Sequence, residues 1–188
     1  VSPVDRETAL QLVALEHYAQ DGPNTGTAFH GLFRRDDHMA CLGVAWWLPP
    51  TRIAAASVWP DDPSAVLALS RLVVLPDVPG NGASFLLAGA SRLIGQLPPH
   101  LSRAGLAKHW RCLLTYADTR LGHTGAIYRA AGWEYLGLTK PEPAWVDGAG
   151  RQVSRKRGPR TLTVTEMAEL GYTRVGSFAK HKYRKVLW

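Results

Sequence analysis

The sequence predicts a mixed α/β fold: one sheet flanked by helices, with a basic C-terminal extension. Three observations carry this. A β-rich run, "AVLALSRLVVL", ends at Leu75 and passes through a Pro/Gly loop into a helical stretch. Further on, "RCLLTYAD", "TGAIYRAA" and "WEYLGLT" follow one another as strand, short helix and strand. A helix and a hairpin precede both.

"SPVDRETALQLVALEHYAQ" opens as a helix: Ser2 can cap, Pro3 suits the first helical position, and Asp5 can bond back to the cap. Leu10, Val13, Ala14 and His17 share one face at helical spacing, and "DGPNTG" ends the run. Thr27–Arg34 and Met39–Leu48 form strands around a turn at Arg35–His38, closed by Pro49 and Pro50. Residues 51–64 read as a partly structured loop with a short strand over Ile53–Val58. The helix after the Gly-rich loop spans about Ala83 to Leu97, with Leu86, Leu87, Ala90 and Leu93 or Ile94 on its apolar face. Residues 139–160 are rich in Pro, Gly and basic residues and form an exposed excursion. "TLTVTEMAELGYTRV" gives a short strand and a helix closed by Gly171, and "GSFAKHKYRKVLW" a basic strand or arm. The expected division is a catalytic core over 1–138 and a basic extension over 139–188, packing on the core.

A chain of 188 residues with a 46% apolar share can build a core without staples. Cys41 and Cys112 lie far apart in apolar runs with no CxxC spacing, which points to buried, reduced thiols in a cytoplasmic protein. No apolar run reaches membrane-spanning length and no signal peptide is visible. The chain begins at Val1, so an initiator Met or a tag is expected to have been removed. The formal charge of +7 is uneven. Residues 151–188 carry ten basic and two acidic residues, a net of +8, while residues 1–150 carry twelve against thirteen. A near-neutral body with a basic end implies a polyanionic partner; dispersed solubility charge is the alternative. Candidate phosphate contacts are Arg155, Lys156, Arg157, Arg160, Lys180, Lys182 and Arg184.

"DVPGNGAS" joins strand to helix. Gly80 and Gly82 permit close backbone approach, and the helix start offers unpaired N–H groups to a phosphate. Val78, Gly80, Asn81, Gly82 and Ser84 are therefore the candidate cofactor contacts. Neither GxGxxG nor GK[ST] is present, so no dinucleotide fingerprint or P-loop is matched. Strand, glycine turn and helix in this order resemble the pyrophosphate element of the GCN5-related N-acetyltransferase (GNAT) fold, although Asp77 stands where that motif has Arg or Gln. "GAIYRAAGWEYLG" is similar to the late helix–strand stretch of the same fold. That resemblance implies that Tyr128 protonates a departing coenzyme A thiolate.

Four pieces together resemble a narrower family: "EHY" at 16–18, "LSRLVV" at 69–74, "PGNGASFLL" at 79–87 and "YADTRLGHTGAIYRAAGWEYLG" at 116–137. They are similar to the Mom-type DNA modification proteins of phages and prophages, over roughly residues 15–138, with "KHKY" at 180–183 echoing a basic ending. The resemblance implies a GNAT-like fold and transfer of a small carbamoyl or acyl-type group to adenine N6 in DNA, protecting phage DNA from restriction. It implies an acyl-CoA donor, acetyl-CoA the first expectation, an associated iron, and action in the bacterial host cytoplasm. Family positions carry over to Arg71, Ser84, Asp118 and Tyr128, with His17 a further match.

Each residue has a plainer reading. Arg71 interrupts an apolar strand, where a charge is costly unless it is paired or faces outward. Ser84 can simply steady a helix start. Asp118 ends a strand, where it can be a helix cap, a metal ligand or a base toward adenine N6. Tyr128 can be core. His17 lies on an apolar helix face; with Asp118 it is the candidate metal pair, His123 being the runner-up and His30 and His38 after it. No His/Cys spacing matches a zinc pattern. Trp46, Trp47, Trp133 and Tyr116 are candidate stacking walls for an extruded base. Two rival functions stay open: a GNAT acetyltransferase for a small-molecule or protein amine, and a non-catalytic nucleic-acid-binding module. A homodimer is left open too.

Overall fold

The computed structural model describes residues 1–17, 26–36, 40–102, 105–157 and 160–188. Chain contacts divide into two compact units: residues 1–116, 125–136 and 182–188, and residues 117–124 and 137–181. In order the elements are β1 (Ser2–Pro3), α1 (Arg6–Glu16), β2 (Ala28–Leu32), β3 (Gly43–Leu48), α2 (Arg52–Ala56), β4 (Val66–Val74), α3 (Gly82–Gly95), β5 (His100–Leu101), β6 (Ala107–Lys108), β7 (Cys112–Asp118), α4 (Ala126–Ala130), β8 (Glu134–Leu138), β9 (Glu142–Val146), β10 (Gln152–Val153), β11 (Lys156–Arg157), β12 (Arg160–Thr161), α5 (Val164–Glu169), β13 (Thr173–Phe178) and β14 (Lys180–Val186).

The main sheet has the order β1-β2-β3-β4-β7-β14-β8. β2, β3 and β4 form antiparallel ladders, and β4 and β7 run parallel. Residues directly opposite across a ladder share a face, so the register sorts the first unit's core. Val44, Trp46 and Val73 pack with Ala9 and Val13 of α1 on one face. Leu32 and Val74 approach Gly82 of α3 on the other. Both faces of β3 are covered, and residues 43–47 are all buried.

In the second unit β9 lies between β10 and β13. Trp145, Leu162 and Met167 form its core, with Val153 and Tyr172 against them. Thr163 and Glu166 make a reciprocal capping box at the start of α5, which satisfies two of its first N–H donors.

Several expectations change. α1 starts at Arg6, because Asp5 rather than Ser2 is its cap: the Asp5 carboxylate accepts the Thr8 N–H at 2.7 Å. Ala9, not Ala14, lies on its buried face. The short strand over Ile53–Val58 is instead the helix α2, capped by Thr51 and built on an alanine run that favours helix. β2 and β3 are shorter than the sequence suggested, and part of the expected turn, including His38, lies outside the described residues. The excursion at 139–160 carries β9, β10 and β11. No described helix is long and apolar enough to cross a membrane.

Candidate active site

Three local features build the site in the first unit. The first is where β4 and β7 part. Their ladder covers only Val66, Leu67 and Ala68 against Cys112, Leu113 and Leu114. Beyond it β4 continues to Val74 bonded to β3, and β7 runs on through Thr115 and Tyr116. The second is a bulge at the same level. Trp46 faces Arg71 and Trp47 faces Leu69, so Ser70 is the extra residue. A bulge bends its strand and re-aims side chains, which accounts for β4 leaving β7 here. Half-buried Arg71 follows it, on the Trp46 and Val73 face of the sheet. Its Nη1 donates to the Ser70 carbonyl at 2.9 Å and lies 3.3 Å from the Ser70 hydroxyl. An Arg in a central strand is thus accommodated by the bulge residue next to it.

The third feature is the glycine turn. The Val78 N–H donates to Leu75 O at 3.1 Å and the Gly82 N–H to Pro79 O at 2.7 Å, which closes the loop onto itself. A Cβ at Gly82 would meet Val78 Cγ1 at 2.3 Å, so the turn needs glycine there for backbone approach. A Cβ at Gly80 would meet nothing within 4 Å, leaving that side of the loop open. The Asn81 side chain makes no cap bond to α3, and the Ser84 hydroxyl donates back to Asn81 O at 2.9 Å. The first-turn amides of α3 therefore keep their positive end without a side-chain cap. Asp77, the departure from the GNAT motif, lies 4.0 Å from Arg34, which brings a cation to the loop. The open glycine and the uncapped helix start fit a pyrophosphate.

Tyr128 is buried in an aromatic cluster, its ring 5.9 Å from Trp133 and 5.2 Å from Tyr183. The Tyr183 hydroxyl accepts from Arg129 Nη1 at 2.9 Å. Trp47 stacks on Trp133 at 6.3 Å. Trp46, Trp47 and Trp133 are therefore core residues, and of the expected stacking walls half-buried Tyr116 remains, on β7 just past the end of its ladder with β4.

In the second unit Asp118 ends β7 and caps the short 3-10 turn Thr119–Leu121, its Oδ1 accepting the Arg120 N–H at 2.9 Å. The Thr119 hydroxyl donates to Ala179 O at 2.7 Å and pins the turn. His123 is exposed, with its N–H on Asp118 O at 3.2 Å. His17, in the first unit, closes α1 by donating its N–H to Val13 O at 3.0 Å. Iron finds no such fit as the pyrophosphate does: no group of three or more His, Cys, Asp or Glu side chains among the described residues could hold a metal.

The candidate phosphate contacts divide. Lys156 and Arg157 are exposed on β11, whose hairpin partner is β12. Arg155 is half-buried and donates to Leu162 O at 2.8 Å, and Arg160 pairs with Glu166. Lys180 is half-buried at the start of β14. Lys182 and Arg184 serve the first unit: Lys182 Nζ donates to the Ser57 hydroxyl at 2.6 Å, and Arg184 Nε to Glu134 at 2.7 Å. Burial lowers the Lys182 ammonium from its ordinary range. Tyr183, a lone aromatic within this basic run and fully buried, was the sequence signal that β14 packs against the core.

The model of the Mom protein family matches residues 1–187. The chain belongs to the Mom protein family. No curated protein sequence matches it. This Mom-family chain also has the fold of GNAT acetyltransferases. It is similar to a GNAT superfamily phosphinothricin acetyltransferase from Sinorhizobium meliloti, solved in complex with AcCoA, with a TM-score of 0.51, 14% identity, and 100% of this chain and 89% of that one covered. An agmatine N-acetyltransferase in apo form gives 0.48 and 11%, covering 99% and 98%. An N-acetyltransferase from Staphylococcus aureus Mu50 gives 0.39 and 15%, with 81% of the Mom-family chain spanning 64% of that protein.

Proposed function

We propose that the chain transfers a small carbamoyl or acyl-type group from an acyl-CoA donor to adenine N6 in double-stranded DNA. The observation that carries this reading is the match to the Mom family over residues 1–187. The open Gly80 and the uncapped start of α3 support a pyrophosphate-bearing donor, as does the AcCoA complex of the Sinorhizobium meliloti neighbour. In this reading the donor's arm enters where β4 and β7 part.

In this reading the N6 nitrogen attacks the donor's carbonyl, the C–S bond breaks, and the thiolate leaves. Asp118 takes the proton from N6, and Tyr128 returns one to the thiolate. Arg71 and Ser84 hold the polarised carbonyl and the donor phosphates. N6 is paired inside a duplex, so the base must be extruded; Tyr116 is the stacking surface, and Lys156 and Arg157 hold the backbone. Chemistry through iron has no part in this reading.

Mass spectrometry of nucleosides from DNA of cells expressing the chain tests it. A new mass on deoxyadenosine is expected, and unmodified DNA beside well-folded, iron-replete protein would overturn it. Gly80→Val should lower coenzyme A affinity at least tenfold with no loss of melting temperature, since its side chain enters the open side of the loop.

A further inference from the structure

Arg120 has a charged group that the fold leaves unanswered. Its Nη1 is closed off from solvent and has no hydrogen-bond acceptor among the described residues. The ion pairs of the described residues engage Arg34, Lys108, Arg151, Arg160 and Arg184, and none engages Arg120. Asp118, two residues earlier, spends its Oδ1 on the Arg120 backbone N–H and makes no ion pair with the guanidinium. A guanidinium carries its charge permanently, so a covered, unpaired nitrogen is a standing cost.

The backbone that presents it is held on several sides. Thr119 bonds Ala179 O through its hydroxyl at 2.7 Å and its N–H at 3.4 Å. The Gly122 N–H donates to Thr119 O at 3.1 Å, with Gly122 in the left-handed region at φ +70°. Arg120 is half-buried and only Nη1 of its fork is closed off, so a pinned turn that holds this guanidinium leaves its other nitrogens pre-organised for an anion. The surroundings agree: residues 117–124 and 137–181 hold nine basic and five acidic residues, a net of +4.

We propose that Arg120 is an anion-binding residue whose guanidinium takes a phosphate of a nucleotide ligand, either coenzyme A or the DNA backbone. The proposal deepens the transferase reading and rests on it only for the source of the phosphate. Asp118 is then a positioning residue for Arg120, whatever else its carboxylate does.

The test uses the full chain as wild type, Arg120→Met and Arg120→Lys. Without ligand, Arg120→Met should melt at or above the wild-type temperature, because it removes an unpaired covered charge and keeps the bulk. With ligand it should lose at least tenfold in affinity for one phosphate source, and Arg120→Lys, which lacks the fork, should recover only part. If coenzyme A is that source, calorimetry shows the loss with coenzyme A and not with pantetheine. If DNA is, coenzyme A binds as before, while duplex affinity falls and its salt slope drops by about 0.9. Unchanged binding of both, or an Arg120→Met protein melting well below wild type, overturns the proposal. Neither result depends on whether DNA adducts form in cells, so the two readings fail separately.

Discussion

Gly125 lies against the ring of Tyr183: a Cβ built on it would sit 2.3 Å from Cε2 and 2.6 Å from both Cζ and the hydroxyl oxygen. Gly125 is in the left-handed region at φ +70° and precedes α4, while Tyr183 is fully buried in β14. The start of the Tyr128 helix and the last strand are thus packed through the one residue type that both constraints allow. Gly125→Ala should destabilise by about 2–5 kcal/mol, combining backbone strain with overpacking. Urea denaturation would show this as a lower midpoint at unchanged slope; a shift under 0.5 kcal/mol would contradict the packing.

The two roles of Asp118 separate by substitution. Asp118→Asn keeps an oxygen for the Arg120 N–H and removes the charge. Its melting temperature should stay near wild type, while adduct formation should fall at least about a hundredfold if the carboxylate accepts the N6 proton. Asp118→Ala should also lose about 1 kcal/mol of stability with the cap. An active Asp118→Asn protein would confine the residue to capping.

Basic residues from one stretch of sequence should behave as two classes. Lys156→Ala with Arg157→Ala removes exposed charge from β11, so duplex affinity should fall and the salt slope decrease by about 1.8, with stability within about 0.5 kcal/mol. Lys182→Ala with Arg184→Ala strips bonds to Ser57 and Glu134. That pair should lower the melting temperature and leave the salt slope unchanged.

His30 is buried on β2, and burial pushes its imidazole down to about 4. The unfolded chain binds this proton near pH 6.5 and the folded chain resists it. The stabilisation is therefore complete above pH 6.5 and is lost as pH falls toward 4, on the order of 1–3 kcal/mol. Melting curves between pH 7 and 4.5 should show the slope in wild type and a smaller one in His30→Leu.

Local chemistry was legible where periodicity and turn residues speak for themselves. The strand ending at Asp118, the helix after "PGNGAS" and the short helix around Tyr128 lie close to where their patterns put them. The choice of Asp5 over Ser2 as cap, and of helix over strand at Arg52–Ala56, is not legible in the sequence, because capping and short apolar runs admit two solutions.

By itself the sequence determined the alternation of elements, the glycine turn, the family and the excess of positive charge. Only the tertiary structure decided that Lys180–Val186 lies between β7 and β8, that Ser70 bulges where β4 leaves β7, and that Arg120 Nη1 has no acceptor among the described residues. Propensity and periodicity act over a few residues. Strand order, register and the pairing of a charge depend on segments far apart in the chain, and so on which partners folding brings together.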